Sequence, residues 1–239
     1  MIETLLQKLR ARDEVGPEEE AALRRAIGDV REFPADRTVI REGELLENST
    51  LLLEGIMLRY KDLRDGGRQI SAVHIAGDFL DLHSFTLKRL DHNILTATPC
   101  KVALAPHVGL REITERFPHL TRLLWFSTNL DAAMHREWEL SLGRRSAIAR
   151  TAHLLCELHT RLEVVGLADT EGFALALTQT EFAECVGLTP VHVNRTLRKL
   201  REQGLVDFRG GRVTVLDRPG LERVAEFKRD YLYLDPYPR

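Results

Sequence analysis

The chain has 239 residues, 44% of them hydrophobic and 29% charged, which suits one large or two modest packed domains and excludes a disordered tail protein. The net charge of −2 argues at first against a nucleic-acid partner. The charge is unevenly spread: residues 1–140 carry 19 Lys and Arg against 23 Asp and Glu, a net of −4, whereas residues 141–239 carry 15 against 13, a net of +2.

No apolar run approaches the ~18 residues needed to cross a bilayer. The opening MIETLLQKLRARDE lacks the apolar stretch of a secretory signal. Cys100, Cys156 and Cys185 are odd in number and widely spaced. They make no disulfide framework, no CxxC zinc site and no four-thiolate iron–sulfur set. The expectation is a cytoplasmic protein without a membrane partner.

Residues 2–29 read as helical. Leu5, Leu6 and Leu9 repeat at helical spacing, and Pro17 opens a second stretch with acids in its first turn and Arg near its end. From 30 to 105 the pattern changes to short β-like runs, DRTVI, STLLLEG, IMLRY, RQISAVHI and KVALA, with Asp65-Gly66-Gly67 as a hairpin signal. These predict an antiparallel sandwich or roll. DLHSFTLKRLDHN interrupts them with a partly helical loop. Pro118 then opens a long helix in which Leu120, Leu123, Leu130 and Met134 recur about every 3.5 residues. That narrow stripe predicts a seam with a second copy of the chain, packing on the chain's own β-domain being the plainer alternative. Gly143 is expected to break this helix, and Ser146 or a neighbour to cap the next one, running to about Leu162. Residues 235–239, DPYPR, read as a frayed tail. The predicted division is a sensor part over 1–117, a dimerisation helix and hinge over 118–142, and a final domain over 143–239.

The informative segment is LTQTEFAECVGLTPVHVNRTLRKLR, 177–201. Thr178 and Glu181 have capping-box spacing, and Gly187 permits a left-handed stop. Thr189 caps the next helix, with Pro190 at its first position, where the missing N–H costs nothing. Val193, Leu197 and Leu200 form its buried stripe, leaving His192, Asn194, Arg195, Arg198 and Lys199 outward. GLVDFRGGRVTVLD follows as strand, Gly-Gly turn, strand, with Arg209 and Arg212 at the tip. Six basic residues against two acids give residues 189–212 a net of +4, and local basic density sets phosphate attraction. Helix, turn, helix and basic wing together predict binding to double-stranded DNA. Arg195 has the donor fork for guanine, and Asn194 the amide for adenine.

With these segments in view, the chain resembles a Crp/Fnr-type transcription regulator along nearly its whole length. IREGELLENSTLLLEG, 40–55, is similar to the roll's opening, GDFLDL, 77–82, to the turn into the effector cassette, and 177–206 to the DNA-binding segment. The resemblance implies an α+β protein: an N-terminal antiparallel, jelly-roll-like β-roll, a long dimerisation helix and a C-terminal winged helix-turn-helix. It implies Pro190, Val191, Asn194 and Arg195 near bases, and Thr178, Gln179, Thr189 and His192 near the backbone. It also implies a homodimer on an inverted-repeat operator, RNA polymerase as a partner and a small-molecule effector. Cyclic-nucleotide binders of this family carry a Gly-Glu pair and a later Arg-Ser/Thr pair. Here these positions read Asp81-Leu82 and Leu90-Asp91, so an acid stands where Arg would meet the phosphate. Cyclic-AMP dependence is therefore not expected, although Lys88 and Arg89 lie close by. Residues 1–99 contain no Cys, which excludes the family's iron–sulfur sensor in its usual form. Asp81, His83, Arg89, Asp91 and His92 remain as a candidate effector pocket, with no HxH or HxxxH metal spacing; the sequence names no cofactor. The rival readings are a cupin-like metal-binding enzyme with an added helical domain, and an adaptor of the same fold that does not bind DNA.

Overall fold

The computed structural model describes residues 1–237. The chain folds into two compact units, one formed by Met1–Lys61, Ala72–Ala132 and, among the described residues, 233–237, the other by Asp62–Ser71 and Ala133–Leu232.

In the first unit, helices α1 (Glu3–Arg10) and α2 (Pro17–Ala26) precede strands β1 (Gly28–Phe33), β2 (Arg37–Ile40), β3 (Asn48–Glu54), β4 (Met57–Asp62) and β5 (Arg68–His74), of which the last residue of β4 and the first four of β5 fall in the second unit. The short α3 (Ser84–Leu87), β6 (Asn93–Thr96), β7 (Cys100–Pro106) and α4 (His107–Arg116) follow. The strands form two sheets, in order β1-β7-β3 and β2-β6-β4-β5, and β1 and β3 pair with β7, and β2 and β4 with β6, all antiparallel. Side chains alternate across each strand. Leu52 and Val102 therefore face the roll interior with Ile40, Met57 and Ile94. Leu51, Leu53, Ala103 and Ala105 face the other way, into a second core with Leu5, Leu6, Leu23 and Leu110. The Leu51–Leu53 run is thus buried on both faces, as a continuous apolar strand should be.

Helix α5 (Pro118–Arg144) starts at Pro118 as the sequence predicts. Two expectations about it are corrected. Leu120 and Leu123 are 0% and 1% exposed and belong to the second core of this chain. The plainer alternative holds there, because the helix's opening turns cover the outer face of the β1-β7-β3 sheet. Leu130 and Met134 are half-buried. Gly143 does not break the helix, which continues to Arg144. One glycine costs a helix only about 1 kcal/mol relative to alanine, and the Arg145 guanidinium ties the last turn back to Ser141 Oγ at 2.7 Å.

In the second unit, α6 (Ala147–Val164) starts on a Ser146 cap, its hydroxyl accepting from the Ala149 N–H at 3.3 Å. Then come β8 (Ala168–Asp169), β9 (Gly172–Ala174), α7 (Gln179–Val186), α8 (Pro190–Glu202), β10 (Val206–Arg209), β11 (Arg212–Val215) and α9 (Arg218–Ala225). The four strands form one sheet, β10-β11-β9-β8. The sequence pattern shows only its β10–β11 hairpin, and shows neither α9 nor β1 and β6 of the first unit. β8 and β9, at two and three residues, are too short for a period of two to register. Glu157, fully buried, accepts from Trp138 Nε1 at 3.1 Å, Arg161 Nη1 at 3.1 Å and Tyr231 Oη at 2.8 Å. These donors satisfy a carboxylate that would otherwise be costly in a core. At the other end of the chain the tail is not wholly free: the Tyr237 N–H bonds the Arg12 carbonyl at 3.0 Å, while residues 238–239 of the expected frayed segment lie outside the described residues.

Candidate nucleic-acid interface

Local chemistry builds the helix pair. Thr178 Oγ1 accepts the Glu181 N–H at 3.1 Å and the Glu181 carboxylate accepts the Thr178 N–H at 2.7 Å, a reciprocal cap that starts α7. Gly187 ends it at φ 59°, in the left-handed region that a Cβ disfavours. Thr189 caps α8 through the His192 N–H at 3.3 Å, with Pro190 opening the helix. Val193, Thr196 and Leu200 face inward. Thr196 takes a buried place expected of Leu197, which is only half-buried, and its hydroxyl donates to the His192 carbonyl at 2.9 Å. The Phe182 and Phe208 rings, 5.6 Å apart, pack α7 on the strand that opens the wing.

This packing leaves one face of α8 outside. Val191 is 70% exposed, and His192, Asn194, Arg195, Arg198 and Lys199 are exposed beside it. Thr178, Gln179 and Thr189 are exposed next to them, and Pro190 is half-buried. Among the described residues Arg195 and Lys199 have no hydrogen bond or ion pair. The Asn194 amide donates to Gln179 Oε1 at 3.0 Å, a link between the two helices that sequence spacing did not reveal. The remaining cations sit beside acids: Arg198 Nε is 3.6 Å from Glu202, Arg209 Nε 3.2 Å from Asp207, and Arg212 Nη2 3.7 Å from Asp169. Arg209 and Arg212 are cross-strand partners flanking the Gly210-Gly211 turn, with φ of 57° and 74° at the two glycines.

The candidate effector residues are only partly brought together. Asp81 is fully buried and accepts the Thr50 N–H at 2.5 Å; burial pushes its carboxyl up to about 7. Asp91 lies outside, 77% exposed, between Lys61 Nζ at 3.3 Å and His92 Nδ1 at 3.0 Å, and its hydrogen bond to His92 leads in pulling it down to about 2. The His83 and His92 rings are 5.5 Å apart. Burial, and then the charge of Arg59, hold both imidazoles below the usual histidine range, His83 at about 4. Arg89 points elsewhere, onto the Gly43 carbonyl at 2.6 Å, so it does not join the group. The residue that organises this region is Arg59, which the sequence pattern did not single out. It is 2% exposed and reaches Asp131 on α5 at 2.9 Å and the Leu80 carbonyl at 3.0 Å. Among the described residues no group of three or more His, Cys, Asp or Glu is placed to hold a metal ion.

A β-roll, a long helix and an exposed basic helix with a wing define a class of DNA-binding regulators. Family comparison agrees: residues 30–117 match the cyclic nucleotide-binding domain and residues 149–224 the Crp-like helix-turn-helix domain. The chain is 32% identical over 199 residues to the nitrogen fixation regulation protein FixK of Bradyrhizobium diazoefficiens, covering 81% of this chain and 80% of that one. It is 32% identical over 218 residues to the transcriptional activatory protein AadR of Rhodopseudomonas palustris, covering 89% and 87%. The structure of FixK2 from Bradyrhizobium japonicum superposes with a TM-score of 0.75 at 26% identity, over 82% of this chain and 96% of that one. The chain belongs to the Crp/Fnr family of DNA-binding transcription regulators. No helix among the described residues is long and apolar enough to cross a membrane.

Proposed function

We propose that the protein works as a cytoplasmic homodimer that reads an inverted-repeat operator through α8, without cyclic AMP and without catalytic activity of its own. The observation that carries this reading is the exposed face of α8. Arg195, unengaged among the described residues, stands there beside Asn194, whose amide Gln179 holds. Free guanidinium donors suit guanine O6 and N7, and a positioned amide suits adenine. Pro190 and Val191 lie beside them at the helix start. Thr178, Gln179, Thr189 and His192, with Arg198, Arg209 and Arg212, are assigned to the sugar–phosphate backbone.

The dimer reading rests on α5. Trp125 is 66% and Leu140 47% exposed on it, and Leu130 and Met134 are half-buried, so this helix keeps apolar surface for a second copy. Leu120 and Leu123 are taken up by the chain's own core. Independence from cyclic AMP is supported by the exposed acid Asp91 and by Arg59, a buried cation already engaged by Asp131. Two relatives are named as transcriptional activators, which supports contact with RNA polymerase, and an effector of another chemistry remains part of the proposal.

Selection from a random-site duplex library, followed by mobility shift without cyclic AMP, tests the reading. The expected product is an inverted repeat with half-site centres about one helical turn, 10–10.5 base pairs, or a multiple of it apart. No shift by dimeric protein at low salt, or a single unrepeated half-site, overturns it.

A further inference from the structure

Apart from the Arg59 group, the first unit also holds an open cleft of about 460 Å³, within the ordinary range for small-molecule sites. Leu45, Leu46, Pro106 and Val108 supply apolar walls, and Glu47, Asn48, Lys88 and His107 the polar groups. Leu45 is 56% and Val108 74% exposed, so the rim presents apolar surface that none of the described residues covers.

Lys88 is held there under backbone strain. It is a non-glycine residue at φ 64°, ψ −33°, fixed by its own N–H to the Ser84 carbonyl at 2.9 Å and by the Leu46 N–H to its carbonyl at 2.8 Å. Strained positions of this kind concentrate at ligand clamps. Its ammonium donates to the Phe85 carbonyl at 2.5 Å and approaches His107 Nδ1 at 3.4 Å. The ammonium also lies 5.1 Å over the centre of the Phe85 ring; of its three N–H donors the third meets no hydrogen-bond acceptor among the described residues, and no carboxylate there pairs with it. Burial and the neighbouring Lys88 make His107 harder to protonate, holding its pKa below the usual histidine value. With Nδ1 facing the ammonium, its Nε2–H is the donor to Ser84 Oγ at 3.2 Å. Helix α4 also opens at this edge with no side chain capping it, which adds positive potential. Glu47, exposed on the rim, repels any anion and a dianion about twice as strongly as a monoanion, so it favours the singly charged ligand of the two.

We propose that this cleft binds a small monocarboxylate with an apolar body, its carboxylate on the Lys88 ammonium and its hydrocarbon against Leu45, Leu46, Pro106 and Val108. The proposal does not depend on how α8 reads DNA. Titration calorimetry of the full chain with sodium octanoate tests it, with octanol and sodium sulfate as controls. Saturable binding of one octanoate per chain is expected, at least ten-fold tighter than either control. Lys88→Gly removes the ammonium and relieves the strained φ, so it should weaken octanoate binding ten-fold or more without lowering the melting temperature. Val108→Asp, at a surface position, should weaken it comparably while circular dichroism stays unchanged. Absence of saturable octanoate binding, equal affinity for octanol, or wild-type affinity in either folded variant overturns the proposal.

Discussion

Arg195 and Lys199 carry cations with no hydrogen bond or ion pair among the described residues, whereas Arg198, Arg209 and Arg212 each lie beside an acid. Exposed pairs of that kind contribute little to stability, so all five cations remain available to phosphates. What sets Arg195 apart is its place at the N-terminal part of α8. Arg195→Ala is expected to weaken specific binding by about 1–3 kcal/mol and to relax preference at one base position; an unchanged motif in random-site selection contradicts this. Asp81 is the opposite case, a carboxyl sealed inside the roll. Its pKa of about 7 in the fold stands above the ordinary value of 3.8. The folded state therefore holds a proton that the unfolded chain has released. The stability from this group is complete below about pH 4 and is lost as pH rises through 7. In Asp81→Asn an amide oxygen still accepts from Thr50 but no charge develops. Between pH 5 and 8 the wild-type melting temperature should fall relative to this variant, by roughly 2–4 °C per kcal/mol of differential stability. Superimposable calorimetric pH profiles would refute the assignment.

At the scale of elements, the helix pair that presents α8 is set by side chains that act locally. The Thr178–Glu181 cap and the left-handed Gly187 lie in a span of ten residues. Short-range chemistry of this kind is readable from spacing alone. Thr178→Ala removes the hydroxyl that receives the Glu181 N–H and should cost about 0.5–2 kcal/mol in urea unfolding; at Gly187 a Cβ would also come within 3.0 Å of Leu142 Cδ2. Gly187→Ala should therefore cost about 1 kcal/mol or more. A midpoint unmoved in both variants would show that α7 is not held by its ends. The tip of the β4–β5 hairpin belongs to the same unit, where Arg68 Nε meets Glu184 at 2.5 Å and the Gln69 amide donates to the Glu184 carbonyl at 2.6 Å. Nothing in the local pattern of either segment points to the other, because they are more than a hundred residues apart in sequence.

At the scale of the whole molecule, the long helix divides its apolar residues between two purposes. Leu120 and Leu123 close the core of the first unit, and Trp125 stays outside at 66% exposure. A large exposed indole on a helix is the kind of anchor that interfaces use. Trp125→Glu and Leu130→Lys are expected to shift sedimentation from dimer toward monomer at micromolar concentration. Both should leave far-ultraviolet circular dichroism unaltered, since neither residue is fully buried. Dimers that persist in both variants would move the interface away from α5.

Periodicity and turn chemistry were sufficient for the order of roll, long helix and winged helix pair, and for the outward set on α8, because those features depend on neighbours a few residues apart. The same signals misplaced Leu120 and Leu123, read a break at Gly143, and passed over Arg59, Lys88 as a cleft lysine and the Gln179–Asn194 link. Each of those depends on which surface arrives from elsewhere in the chain. A leucine stripe looks alike whether a sheet or a second helix will cover it, and an arginine on a strand shows no sign of being buried until an aspartate 72 positions later is folded onto it.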